Sequence, residues 1–182
     1  ARISGTAHAD EYTGGVGAFA SAIGAKAGMA AQAFAGYGTS FTVDCQPAPG
    51  EATCLLSFTV VITGAASAHG SHNSNPLVFG SADAGYSASW SISQVGFGAL
   101  ASGGGEYRFK FYDNGTTEEI ITGRPFTTTT GLLEFFPGEV VTINLQASAS
   151  VFTDPSGFFE DDMGAASGTA NFSNTLRWGG LQ

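Results

Sequence analysis

Positive charge is scarce in this sequence. Only 6 Lys and Arg stand against 15 Asp and Glu, a formal net charge of -9. Phosphate backbones are held by clustered cations, so nucleic acid is excluded as a partner. An anionic membrane surface is disfavoured for the same reason. Charge of either sign is thin, at 12% of residues, about half the share usual in soluble domains. Long apolar runs are missing too. No stretch of about 18 apolar residues occurs, so no helical membrane span is expected. No basic-then-apolar leader opens the chain; for an exported protein, Ala1 is then expected to be the mature start. No Gly-x-Ser-x-Gly elbow is present, and nothing in the residues identifies an enzyme. Glu106, Glu118 and Glu134 would make a glycosidase pair only if the fold brought two of them together. Two cysteines are too few for zinc, which takes four ligands or three plus water.

What the chain does have is 27 Gly in 182 residues, with much Ala, Ser and Thr and scattered Phe. That mixture is poor for helices and suits exported β-proteins. The length fits one domain, residues 1–182, large enough to bury a core.

The stretch from Glu139 to Trp178 sets the class. From Glu139 to Phe152, Val141, Ile143, Leu145, Ala147, Ala149 and Val151 fall on one face. Val140, Thr142, Asn144, Gln146, Ser148 and Ser150 fall on the other. This period of two is the mark of a strand with one dry and one wet face. Ala165 to Trp178 alternates less cleanly and reads as the returning strand of a hairpin. The loop between them holds Asp154, Glu160, Asp161 and Asp162.

Other strands follow the same logic. Ala1 to Asp10 is a thin one, with Ile3, Gly5, Ala7 and Ala9 on its inner side. Cys54 to Ala68 is apolar on both faces, and Gly85 to Val95 carries Tyr86, Ala88, Trp90 and Ile92 on one. Leu77 to Phe79 reads as a short edge strand, Ala99 to Gly105 as a flexible connection, and Glu106 to Tyr112 as a strand. Asp113-Asn-Gly115 predicts a hairpin turn, since Asn-Gly fits the positive φ values of type I′. Residues 16–38 are ambiguous. Phe19, Ile23, Ala27, Ala30 and Phe34 have helical spacing, but five glycines would each cost a helix about 1 kcal/mol relative to Ala. Two small-residue strands are favoured, with the helix left open. About ten to twelve strands result, with a turn every 8–12 residues. The expected fold is an all-β, two-sheet antiparallel sandwich, jelly-roll-like.

Cys45 and Cys54 flank a Pro- and Gly-containing turn between two strands. A disulfide is expected, with an oxidising compartment. Asp154, Glu160, Asp161 and Asp162 suit calcium, which takes six to eight oxygens, though the spacing is not that of an EF-hand; a solvated acidic loop is the plainer reading. His69 and His72 lack a third ligand nearby in sequence. Trp90, Tyr107, Tyr112 and Trp178 would stack on sugar rings if exposed, and otherwise belong to the core. Asn114-Gly-Thr116 and Asn171-Phe-Ser173 match the glycosylation sequon, which matters only with the corresponding machinery.

Two segments carry a family resemblance. Gly164-Ala-Ala-Ser-Gly-Thr-Ala-Asn-Phe-Ser-Asn-Thr-Leu-Arg-Trp-Gly-Gly180 resembles the region just ahead of the sorting signal in exported bacterial proteins of the PEP-CTERM class. So does Phe136-Pro-Gly-Glu-Val-Val-Thr142 with the Ala/Ser-rich strand after it. The chain departs from the class in lacking the Pro-Glu-Pro motif, the apolar helix and the basic tail. The resemblance implies export to the surface of a Gram-negative cell and association with extracellular polymer, and no catalytic residues. The expectation is therefore an exported, non-enzymatic structural protein of the extracellular matrix. It would self-associate through the strand at Ile3, Gly5, Ala7 and Ala9 by β-augmentation. A glycan-binding module, with or without calcium, is the alternative.

Overall fold

The computed structural model describes residues 2–10, 15–25, 28–62, 65–70, 78–112, 114–123, 128–129, 131–157 and 165–181, the last eleven by backbone alone. They form strands β1 (Arg2–Asp10), β2 (Gly15–Ala25), β3 (Met29–Thr42), β4 (Cys54–Leu56), β5 (Phe58–Ile62), β6 (Ala65–Gly70) and β7 (Val78–Gln94). After these come β8 (Gly98–Phe111), β9 (Thr117–Gly123), β10 (Thr128–Thr129), β11 (Leu133–Phe135), β12 (Val140–Gly157) and β13 (Ala165–Leu181). No helix occurs among the described residues.

All pairings are antiparallel. One sheet runs β1-β2-β13-β5-β10, with β6 also on β13; the other runs β3-β12-β7-β8-β9; β11 and β4 form a small ribbon. The expected all-β sandwich is what the chain forms. Residues 16–25 and 29–38 are in strands β2 and β3. Ala18, Ala20 and Ala22 alternate inward and are fully buried, which satisfies a sheet, while the glycines penalise the helix.

Some expectations fail. The segments around residues 139–178 are not a hairpin. β12 and β13 lie in different sheets and face each other across the core. Each has an apolar face, and packing face to face buries both, which edge pairing would not. Asp154 is not in a loop either: β12 continues through it, opposite Ser81 of β7. Of the short edge strand expected at 77–79, Val78 and Phe79 are the start of β7, which is central, and Leu77 lies outside the described residues. The flexible connection expected at 99–105 belongs to β8. There Gly103 makes room for an aromatic ring: a Cβ on it would lie 2.8 Å from the Trp90 indole. A hairpin turn does join β8 to β9 at 113–115: Gly115 has φ 81°, its N–H donates to Tyr112 O at 3.0 Å, and Tyr112 N–H donates to Thr116 O at 2.9 Å; Asp113 itself lies outside the described residues.

The core has two ends. At one, Tyr86, Trp90, Ile92, Phe135, Ile143 and Leu145 pack together. At the other, nearly every buried side chain is alanine, among them Ala20, Ala84, Ala149 and Ala170, with Val151. Alanine reaches less far than leucine, so the two sheets come close there. A Cβ on Gly168 of β13 would sit 2.6 Å from Val151 Cγ1 of β12. The broad end is tied by a polar clamp. The buried Gln94 amide donates to Phe136 O at 3.0 Å, and its oxygen accepts from Phe136 N–H at 3.2 Å. The Cys45–Cys54 disulfide is formed.

Candidate glycan-binding face

Alternation on β12 and β7 sends large and small apolar side chains inward and leaves the other set on the solvent side of the five-stranded sheet. Register aligns that outer set into rows. Gly38, Asn144, Ser91 and Ser102 make one; Gly36, Gln146, Ser89 and Gly104 the next. Phe34, Ser148, Ser87, Glu106 and Thr122 follow, and then Gln32, Ser150, Gly85, Arg108 and Ile120. The last full row is Ala30, Phe152, Asp83, Lys110 and Glu118. Asn144 to Phe152 spans about 26 Å along the strand, at about 3.3 Å per residue.

Hydroxyls on this face hold one another. Ser87 and Ser148 share a hydrogen bond of 2.8 Å, Ser40 and Thr142 another of 2.8 Å. Ser89 donates to Gln146 Oε1 at 3.5 Å. Glycines within the rows leave hollows between the side chains. One of about 340 Å³ is bordered by Phe34, Ser87, Gly104, Glu106 and Gln146. A second of about 420 Å³ shares Ser89 and Gln146 with it and adds Ser91, Ser102 and Asn144. A third of about 360 Å³ lies toward the other end, at Gln32, Asp83, Arg108, Ser150 and Phe152. Two phenyl rings stand out of the polar surface, Phe34 at 62% exposure and Phe152 at 52%.

Charge begins at the middle row, with Glu106, and continues through Arg108 to Asp83, Lys110 and Glu118 at one end. Arg108 donates to Asp83 through Nε at 3.2 Å and through its terminal nitrogen at 2.5 Å, and Nε lies 3.4 Å from Glu106 Oε1. Two carboxylates against one guanidinium leave this patch with a negative excess.

The aromatic residues expected to stack on sugars do not gather here. Trp90 is 6% exposed and sits in the core, so its ring is not available to an outside ligand. Tyr107 points to the inner side, stacked on Tyr86 with centroids 5.4 Å apart. Burial, and then a hydrogen bond to Glu119, raises its pKa. Tyr112 is exposed at the hairpin tip and donates to Glu118, which raises its pKa. Trp178 lies on β13 opposite Val60; its side chain is outside the described residues. Phe34 and Phe152 were missed. Both had a signal: each is an aromatic residue on the polar phase of its strand, and Phe152 continues the series Asn144, Gln146, Ser148, Ser150.

Of the acidic residues expected to hold calcium, Asp154 is exposed on β12, and Glu160, Asp161 and Asp162 lie outside the described residues. Among the described residues no three His, Cys, Asp or Glu converge. His69 is exposed on β6, and His72 lies outside the described residues. Ile3, Gly5, Ala7 and Ala9 are on β1, at one end of the six-stranded sheet.

Fold and face together define a two-layer antiparallel sandwich with one extended polar surface. No protein-family model matches the chain, and none of the curated proteins matches it in sequence.

Proposed function

We propose that this protein is an exported, non-enzymatic component of an extracellular matrix, and that it lays the outer face of its five-stranded sheet along a neutral polysaccharide. One observation carries the reading: rows of hydroxyls and amides on a single face, with the exposed rings of Phe34 and Phe152 among them. Hydroxyl and amide groups both donate and accept, which matches a sugar ring's own hydroxyls, and a phenyl ring covers the ring's apolar C–H side. The hollows are shallow and follow the strands, which suits a polymer better than a small molecule enclosed in a cleft. A net charge of -9 favours a neutral polymer over an anionic one. Binding is preferred to hydrolysis because the carboxylates of Asp83 and Glu106 are both engaged with Arg108. Export is supported by the disulfide, and the resemblance to PEP-CTERM proteins points the same way.

Titration calorimetry against soluble β-glucan, galactomannan, dextran and polygalacturonate tests this. At least one neutral polymer should bind and polygalacturonate should not. Phe34→Ala and Gln146→Ala should each weaken binding about tenfold, the scale of 1–2 kcal/mol for one lost apolar or hydrogen-bonded contact. No binding to any neutral polymer, or binding that ignores both substitutions, refutes the proposal. Repeating the titration with a chelator tests calcium.

A further inference from the structure

Asn114 is the only asparagine in the sequence that is followed by glycine. The pair sits at the tip of the β8–β9 hairpin, where Asn114, Gly115 and Thr116 are all exposed. Asn114 Oδ1 accepts the Thr116 N–H at 2.9 Å and the Thr116 hydroxyl at 2.6 Å. A side-chain oxygen held by the amide two residues on lies back over the backbone between them. The carbonyl carbon of the side chain is thereby kept beside the Asn114–Gly115 peptide.

Two donors on one carbonyl oxygen sit where negative charge gathers when a nucleophile adds to Cγ, which is how an oxyanion hole works. The nucleophile is the next residue's nitrogen. Its N–H lies in the peptide plane and donates to Tyr112 O at 3.0 Å. Glycine has no Cβ to crowd the two faces of that nitrogen, and it holds a φ of 81° without strain. The N–H must leave Tyr112 O before it gives up its proton. These turn residues are exposed, so that opening disturbs no core contact.

We propose that Asn114 is a site of spontaneous deamidation in the folded protein, and that the Thr116 donors promote it. The Gly115 nitrogen passes its proton to solvent hydroxide and adds to Asn114 Cγ. The Cγ–Nδ2 bond then breaks, and the leaving amide takes a proton from water and departs as ammonia. One water opens the resulting five-membered succinimide at either of its carbonyls. Opening at one gives aspartate; opening at the other gives isoaspartate, with one more carbon in the backbone of the turn. Either product adds a negative charge to a chain of net charge -9, on the hairpin that carries Glu118 and Glu119. β9 is the last strand of its sheet, so a longer turn there leaves the core in place. The inference is independent of the glycan reading.

Peptide mapping by mass spectrometry tests it, on folded protein with its disulfide intact, stored at neutral and at mildly alkaline pH. The peptide holding Asn114 should gain the mass difference between an amide and an acid, with isoaspartate among the products. Conversion should be faster at the higher pH, and faster at Asn114 than at any other asparagine. Thr116→Val should slow it about fivefold, the worth of one lost hydrogen bond, and Thr116→Ser, which keeps the hydroxyl, should not. An unchanged Asn114 overturns the proposal, as does equal conversion at another asparagine or a Thr116→Val rate equal to the native one. So does a glycan found on Asn114 Nδ2, the other modification that Asn-Gly-Thr admits.

Discussion

The closeness of the sheets at the alanine end can be tested by adding one methyl group. Gly168→Ala on β13 would place Cβ 2.6 Å from Val151 Cγ1 and 3.5 Å from Ala84 Cβ. Carbon atoms in contact sit at about 3.5–4.0 Å, so the first approach is about 1 Å too short, while the second is ordinary. Overpacking of this kind costs about 1–3 kcal/mol. Against it, alanine is favoured over glycine within a strand by about 0.5–1 kcal/mol. The net loss should be no more than about 2.5 kcal/mol. Val151→Ala alone removes two carbons, about 0.8 kcal/mol each plus a cavity term. In that background the obstructing methyl is gone, and the methyl added at position 168 enters the vacated space. Gly168→Ala should then stabilise, giving a coupling of about 1–3 kcal/mol between the two sites. Urea unfolding of the four proteins of this cycle, with the disulfide intact, reads it directly. At slopes of about 1–3 kcal/mol per molar urea, the midpoint shifts are easily resolved. If Gly168→Ala has the same sign in both backgrounds, the sheets are not in the contact described here.

Three further outcomes follow from other contacts. Cys45→Ser with Cys54→Ser opens a loop of sequence separation 9, and the chain-entropy relation puts the loss at about 2.5–3 kcal/mol; urea midpoints of the two proteins check it, and a thiol assay of the native chain should find no free sulfhydryl. Gln94→Leu strands the N–H and C=O of Phe136 that its amide now satisfies; leaving buried partners unmet costs about 1–3 kcal/mol each, so a loss under about 1 kcal/mol in urea would mean the clamp is not made. Burial raises the pKa of Tyr86 and of Tyr107, so the unfolded chain gives up these protons first as pH rises. Stability should hold steady below about pH 10 and fall above it, and Tyr86→Phe should flatten that fall in urea titrations made from about pH 9 to 11.

How far the sequence discloses this structure depends on the kind of information each residue carries. The strict alternation of β12 predicted its buried face, because a strand with one wet side leaves a period-two trace. The disulfide was legible from spacing across a turn. Sheet membership was not. Alternation says that β12 and β13 each have an apolar face, but not whether two consecutive strands pair by their edges or pack by their faces. Gly103 reads as part of a flexible connection because its reason lies elsewhere in the chain, in the Trp90 indole that occupies the space a side chain would need. The aromatic residues were sorted by size and not by phase. Trp90 and Tyr107 lie on the apolar phase of their strands and turn inward, whereas Phe34 and Phe152 lie on the polar phase and turn out.

Phase also explains how one strand can serve the core and the outer face without conflict. Along β12 the inward series runs from Val141, Ile143 and Leu145 to Ala147 and Ala149, matching the narrowing space between the sheets. The outward series runs through Asn144, Gln146, Ser148 and Ser150 to Phe152, and touches only neighbouring strands and solvent. Side chains of the two series point to opposite faces of the sheet, so a change in one leaves the packing of the other intact. Gln146→Ala should therefore alter what the face holds while shifting stability by no more than about 0.5 kcal/mol, the range of an exposed substitution. Leu145→Ala, one residue away and fully buried, should cost about 2–5 kcal/mol. Similar losses in the two variants would show that the faces are not independent, and the separation of core from binding surface would fail with them.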